Sequence, residues 1–202
     1  MSTAAPPERS WALPDEPPPV RLMSTIWAGQ DGIHDDLRTS ADVDEWLDAI
    51  GAERAGTHAT QAELVKARAL RDALRRLAAF RTEDSRASAA SAMTDLAEAL
   101  DRVNSTAAEL PVLRLALRDG RLEQGLYTEA APVTTGLAQV AEQAVELLGG
   151  EGAAKLRACY APGCVLYFIK SHPRREWCSV ACGNRVRAAR HYQRARGHKG
   201  DA

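Results

Sequence analysis

The feature that most constrains this chain is where its cysteines lie. All four fall in the last 44 of 202 residues, as Cys159-x4-Cys164 and, after thirteen intervening residues, Cys178-x3-Cys182. Such crowding rules out a disulfide framework spread over a secreted fold. Each pair can supply two vertices of a tetrahedron, and the segment between them must fold back to bring the pairs together. A closed shell of four soft thiolates suits structural zinc and leaves no position for an activated water. Iron in a rubredoxin-like shell and unligated or disulfide-bonded thiols are the alternatives. The x4 gap and the basic segment that follows make iron the less attractive metal.

Charge follows the same division. From Ala153 to Ala202 there are eleven basic residues and two acidic ones, a formal +9, so the preceding 152 residues carry −10 of the overall −1. A basic segment joined to an acidic one points to a polyanion as the partner of the basic part, although mutual attraction of the two halves is also compatible.

Residues 1–19 hold six prolines among small and polar residues and read as a disordered arm. Val20 to Trp27 is a β-branched apolar stretch expected to be a first strand or an extended segment. Ser40 is positioned to cap a helix over Ala41 to Ile50 that Gly51 ends. Thr60-Gln61-Ala62-Glu63 is a capping-box pattern opening a longer helix, with Leu64, Ala67, Leu70, Leu74, Leu77 and Phe80 on its apolar face. A further amphipathic helix is expected over Ala89 to Val103, stopped by Asn104-Ser105. Leu113, Leu115 and Leu117 alternate ahead of Asp119-Gly120, which predicts a hairpin returning through Leu122 to Tyr127. A last helix of this region runs from Pro132 to Leu148 and closes at Gly149-Gly150. The expected fold is mainly α with a small β-hairpin: a helical domain over 20–152, then a treble-clef-like four-cysteine zinc finger over 153–202.

Within that finger, Val165 to Ile169 is β-prone, and Ser171 to Arg175 has turn composition, so a knuckle followed by a hairpin is expected. Ser179 sits where an N-cap belongs, ahead of a proline-free, Ala- and Arg-rich helix from Val180 to about Arg194. At 100° per residue, Cys182, Val186, Ala189 and Gln193 share the face toward the metal. Arg187, Arg190 and Arg194 fall together on the far side and are the best candidates for phosphate contact. Lys170, Arg174 and Arg175 are placed to extend this surface. Arg185 flanks the metal-facing stripe, where buttressing the thiolates competes with a direct base contact.

Trp177-Cys178-Ser179, then Cys182-Gly183-Asn184-Arg185 and an Arg-rich helix, preceded by Arg174-Arg175, is similar to the CGNR zinc-finger family. In those bacterial proteins the finger follows a mostly helical domain called ABATE, and they are described as stress-related transcription regulators. The resemblance covers about Leu156 to Arg196 in the finger. It is weaker in front, where Asp36-Leu37, Asp42 to Leu47 and Leu70 to Leu74 look like family motifs. Ser24-Thr25 stands where the family tends to show an Asn-Thr pair, and the Ile169 to His172 region lacks an acidic residue expected there. The resemblance implies one zinc ion on the four cysteines and a role in DNA binding.

Other constellations carry less. His34-Asp35-Asp36 reads as a solvated loop, His58 as exposed, and His172 as superfluous beside four cysteines. No phosphate-binding loop, dinucleotide fingerprint, nucleophile elbow or zinc-deaminase signature occurs, so no enzyme activity is expected. No apolar run approaches the roughly 18 residues of a membrane span, and no leader pattern opens the chain, so a cytoplasmic location is expected. An excess of 22 Arg over 4 Lys hints at a GC-rich bacterial source. The expected function is zinc-dependent regulation of transcription through duplex DNA, with the acidic domain sensing a signal, through a small-molecule effector, or mediating assembly. Homodimerisation would supply the specificity that one finger lacks. The alternatives are a zinc-stabilised module that binds an acidic protein partner and an RNA-binding module.

Overall fold

The structure, a computed structural model, describes residues 11–197, with side chains described to Arg194. Helix α1 (Pro18–Met23) leads into a short antiparallel pair, β1 (Ile26–Ala28) with β2 (Ile33–Asp35). Helices α2 (Ser40–Ala49), α3 (Gln61–Thr82) and α4 (Leu96–Ala107) follow, then a hairpin of β3 (Val112–Arg118) and β4 (Arg121–Tyr127), and helix α5 (Pro132–Gly149). The cysteine region comprises the pair β5 (Leu156–Ala158) and β6 (Tyr167–Ile169) and helix α6 (Val180–Gly197). Among the described residues no helix is long and apolar enough to cross a membrane.

Local chemistry sets the helix starts. Thr60 accepts from the amide of Glu63 while the Glu63 carboxylate accepts from the amide of Thr60, the reciprocal cap anticipated from the sequence. Helix α2 is capped one residue earlier than expected: Thr39, not Ser40, makes the same exchange with Asp42. Asp95 caps α4, which therefore begins later than the Ala89 predicted and continues through Asn104 and Ser105 to Ala107. In the β3–β4 turn, Asp119 and Gly120 both adopt positive φ, the conformation a two-residue type I′ connection demands.

The core gathers Val43, Trp46 and Leu47 of α2, Leu64, Leu70 and Leu74 of α3, and Leu137 and Val140 of α5, all fully buried or nearly so. Phe80, expected on this face, is instead exposed at the end of α3.

Three expectations are corrected. The arm is ordered from Trp11 onward: Trp11 is buried, Glu16 is buried beside the cysteine region, and Pro18-Pro19 open α1, where the missing amide of proline costs nothing. Residues 1–10 lie outside the described residues. Val20 to Met23 is helical rather than extended, with Val20, Leu22 and Met23 buried. His34 and Asp35 belong to a strand rather than a solvated loop: the His34 ring stacks on Trp27, and Asp35 holds the buried guanidinium of Arg71 at 2.6 Å.

The β5–β6 pair joins the two parts of the chain. Side chains alternate across a strand, so Tyr167, with Leu156 and Ala158, enters the core of the helical domain, while Phe168 enters a second core around the cysteines. The β-prone run before Ile169 thus pairs backward with Leu156–Ala158 across the knuckle. The Ser171 to Trp177 segment, read as part of a hairpin, contains turns and no strand.

A four-cysteine metal centre and the basic helix it anchors

The cysteines arrive from two directions. Cys159 follows β5, and the chain turns at Ala161-Pro162-Gly163-Cys164, where the Cys164 amide donates to the Ala161 carbonyl at 2.9 Å and Gly163 has φ +72°. That is type II turn chemistry: proline suits its second residue and glycine its third. Cys178 precedes α6, and Cys182 lies in its first turn, where its amide donates to the Ser179 hydroxyl at 3.2 Å. Ser179 is therefore the cap the sequence indicated.

All four sulfurs lie within 4.8 Å of one another and all four residues are buried. The Cys164 and Cys178 Sγ atoms are 3.8 Å apart, and those of Cys178 and Cys182 3.4 Å. A tetrahedron with Zn–S bonds of about 2.3 Å has sulfur–sulfur edges near 3.8 Å, whereas a disulfide would draw two sulfurs to about 2 Å. The spacing, the donor set and the burial fit one zinc ion. Four thiols so confined cannot share protons evenly: hydrogen bonds from Cys164 and Cys178 bring the Cys159 thiol down to about 6. Bonds from the other three thiols, with Arg185, hold Cys182 far below the usual thiol range, while Cys164 and Cys178 are pushed up. Cys159, Cys164, Cys178 and Cys182 would hold a divalent cation as thiolates, and the ion would tie the knuckle to the first turn of α6.

The tetrapeptide Cys182-Gly183-Asn184-Arg185 has a local role at each position. Cys182 is a ligand. A Cβ on Gly183 would stand 3.3 Å from Cδ1 of Trp177, so its lack of a side chain lets that indole pack over the helix start. Asn184 Oδ1 accepts from the Arg187 guanidinium. Arg185 Nη2 donates to Cys182 Sγ at 2.8 Å, which raises the guanidinium pKa and supports the thiolate.

The other predicted cations divide. Arg187, Arg190 and Arg194 are exposed on α6, over about 10 Å of helix axis, while Val186, on the adjoining face one turn before Arg190, is buried against the cysteines. Arg174 is exposed at the turn before Trp177. Lys170 lines an open cleft of about 640 Å³ with Arg81, Arg157, Tyr160 and Trp177. Arg175 turns inward: it pairs with Glu16 at 2.6 Å, donates to the carbonyls of Ile169 and Cys178, and lies over the Phe168 ring. The structure thus brings together Arg187, Arg190 and Arg194, and engages Arg175 and Arg185 in holding the finger.

Two arginines that sequence patterning did not single out join the helical domain to the knuckle. Arg86 donates to the carbonyls of Cys159 and Cys164, both at 2.8 Å, and grips Asp84 through Nε and Nη2 at 2.7 Å each. Burial alone would raise the Asp84 pKa, but these bonds hold it below the usual carboxylate value, and Tyr167 donates to the same carboxylate at 3.2 Å. Arg75, 2% exposed in the middle of α3, donates to the carbonyls of Met23, Ala89 and Val165 at 3.2–3.3 Å, and burial lowers its pKa. Arg75 lies on α3 and Arg86 just after it, and the available signal was only that Arg75 adjoins the apolar stripe at Leu74.

No curated protein matches this chain. Residues 16–151 match the family model ABATE, described as "putative stress-induced transcription regulator", and residues 155–195 match the CGNR zinc finger. With two thirds of its length matched by the first model and a complete thiolate shell within the second, the chain belongs to the ABATE family and carries a C-terminal, zinc-binding CGNR finger.

Proposed function

We propose that this protein regulates transcription by binding duplex DNA through α6, with zinc holding that helix in place and the ABATE domain tuning its presentation. The observation that carries this is the row of Arg187, Arg190 and Arg194, exposed together along a helix whose adjoining face is pinned by Cys182 and Val186. Guanidinium groups spaced along a helix suit phosphates, and Asn184 steadies the first of them. The four-thiolate shell leaves the metal no open position, which favours a structural over an enzymatic role. An effector would have a ready place in the cleft lined by Arg81, Arg157 and Lys170, since it borders both the helical domain and the finger.

The test is fluorescence anisotropy of a labelled random duplex against the zinc-loaded full chain and its Arg187→Ala/Arg190→Ala/Arg194→Ala variant. Three phosphate contacts contribute a salt slope of about 2.7, so their share of the affinity falls about fortyfold between 50 and 200 mM salt. The variant is expected to lose most binding at 50 mM salt and to show a slope smaller by that amount, with zinc content and helicity unchanged. A wild-type chain that ignores DNA at 50 mM salt would sink the proposal and turn attention to an acidic protein partner. Preference for single-stranded RNA over the duplex would move it to RNA.

A further inference from the structure

The hairpin β3–β4 is the most incongruous part of the surface. Its two strands pack on each other and scarcely on any other element, and every one of its residues is exposed. The register pairs Leu113 with Leu126, Leu115 with Gln124 and Leu117 with Leu122, so these six side chains share one face. The five leucines are 66–76% exposed. The opposite face carries Arg114, Arg118, Arg121 and Glu123, with Arg114 lying 4.0 Å over the Tyr127 ring. Alternation is therefore as sharp as in a sheet with one buried side, yet among the described residues nothing covers the leucines. A lone two-stranded hairpin is marginal in water, and a flat apolar strand pair invites pairing with another chain.

We infer that the leucine face of β3–β4 is a homodimer interface, packed against the same face of a second copy. The face suits itself. It is apolar, free of charge and centred on Leu115 and Gln124, so a two-fold axis through that centre lays leucine on leucine while the charged faces of both hairpins stay in water. Two such hairpins form a four-stranded, two-layer sandwich with sheets about 10 Å apart. The exposed leucine surface amounts to roughly 600 Å² per protomer, and flanking atoms bring it near the roughly 800 Å² per partner of a standard stable interface. An unrelated partner needs a matching apolar strip of its own, whereas a second copy carries one by construction. The dimer places two zinc fingers on one particle and leaves each α6 outside the interface.

The oligomeric state of the zinc-loaded full chain is measured without DNA, by sedimentation velocity from 1 to 100 µM, so its outcome is separate from that of the DNA-binding proposal. A species of twice the 21.8 kDa chain mass is expected. The Leu115→Glu/Leu126→Glu variant should raise the dimer Kd by at least about a hundredfold, with unchanged circular dichroism and zinc content. Arg118→Glu, on the opposite face, should leave the Kd within about threefold of wild type. A Leu115→Cys variant should cross-link to itself across the axis with a short bis-maleimide, because sheets about 10 Å apart hold the two thiols too far apart for a direct disulfide. Each of three results overturns the inference: a monomer at 100 µM, a dimer that survives both glutamates, or a dimer that does not cross-link through position 115.

Discussion

Arg86→Ala probes whether the finger and the helical domain stand or fall together. The wild-type guanidinium makes two hydrogen bonds to the carbonyls of Cys159 and Cys164 and a bidentate pair with Asp84, whose side chain is fully buried. Charge-assisted bonds of this kind are each worth about 1.5–3 kcal/mol. Removing one member of a buried pair costs about 3–5 kcal/mol, because the other is left charged without a partner. Arg86 is itself 22% exposed, so water recovers part of the loss and the low end applies, about 3 kcal/mol. For a chain of this size that is a drop of roughly 6–12 °C in Tm, read by circular dichroism at saturating zinc. Because the lost carbonyl contacts belong to the knuckle, zinc release to a chromogenic chelator should accelerate in the same variant. Asp84→Asn added to Arg86→Ala should restore part of the stability by removing the stranded charge. A Tm within about 2 °C of wild type together with unchanged zinc release would show that the finger is only tethered to the domain, and would refute the reasoning.

Two further outcomes follow from single side chains. Arg185→Ala removes the guanidinium from Cys182 Sγ, and loss of a partner behind a metal ligand should raise the zinc Kd about ten- to a hundredfold in a chelator competition; an unchanged Kd would make that contact incidental. Thr60→Ala removes the cap of α3 at the Glu63 amide and should lower stability by about 1 kcal/mol in urea unfolding without changing zinc content; a neutral result would mean that Glu63 alone secures the helix start.

The parts of this protein that could be read in sequence are those decided by a few neighbouring residues. The caps at Thr60 and Ser179, the turn at Asp119-Gly120 and the two-plus-two cysteine spacing each express a bond or dihedral preference made within about five residues. They located α3, the β3–β4 hairpin, the start of α6 and the metal ligands. The boundary errors have the same origin: Thr39 and Ser40 are both competent caps, and the choice fell to the one whose hydroxyl meets Asp42. Helical periodicity likewise placed Arg187, Arg190 and Arg194 on one exposed face.

What only the tertiary structure decided is where each cation spends its charge. Arg75, Arg86 and Arg175 are indistinguishable from surface arginines by composition or periodicity, yet their partners lie far along the chain, at Val165, Cys159 and Glu16. A long guanidinium with five donors satisfies carbonyls wherever three-dimensional packing leaves them in reach, and no local pattern records that. The same holds for the exposed leucines of β3–β4: alternation predicted the hairpin, but burial is a property of what packs against a face, and among the described residues nothing packs against this one.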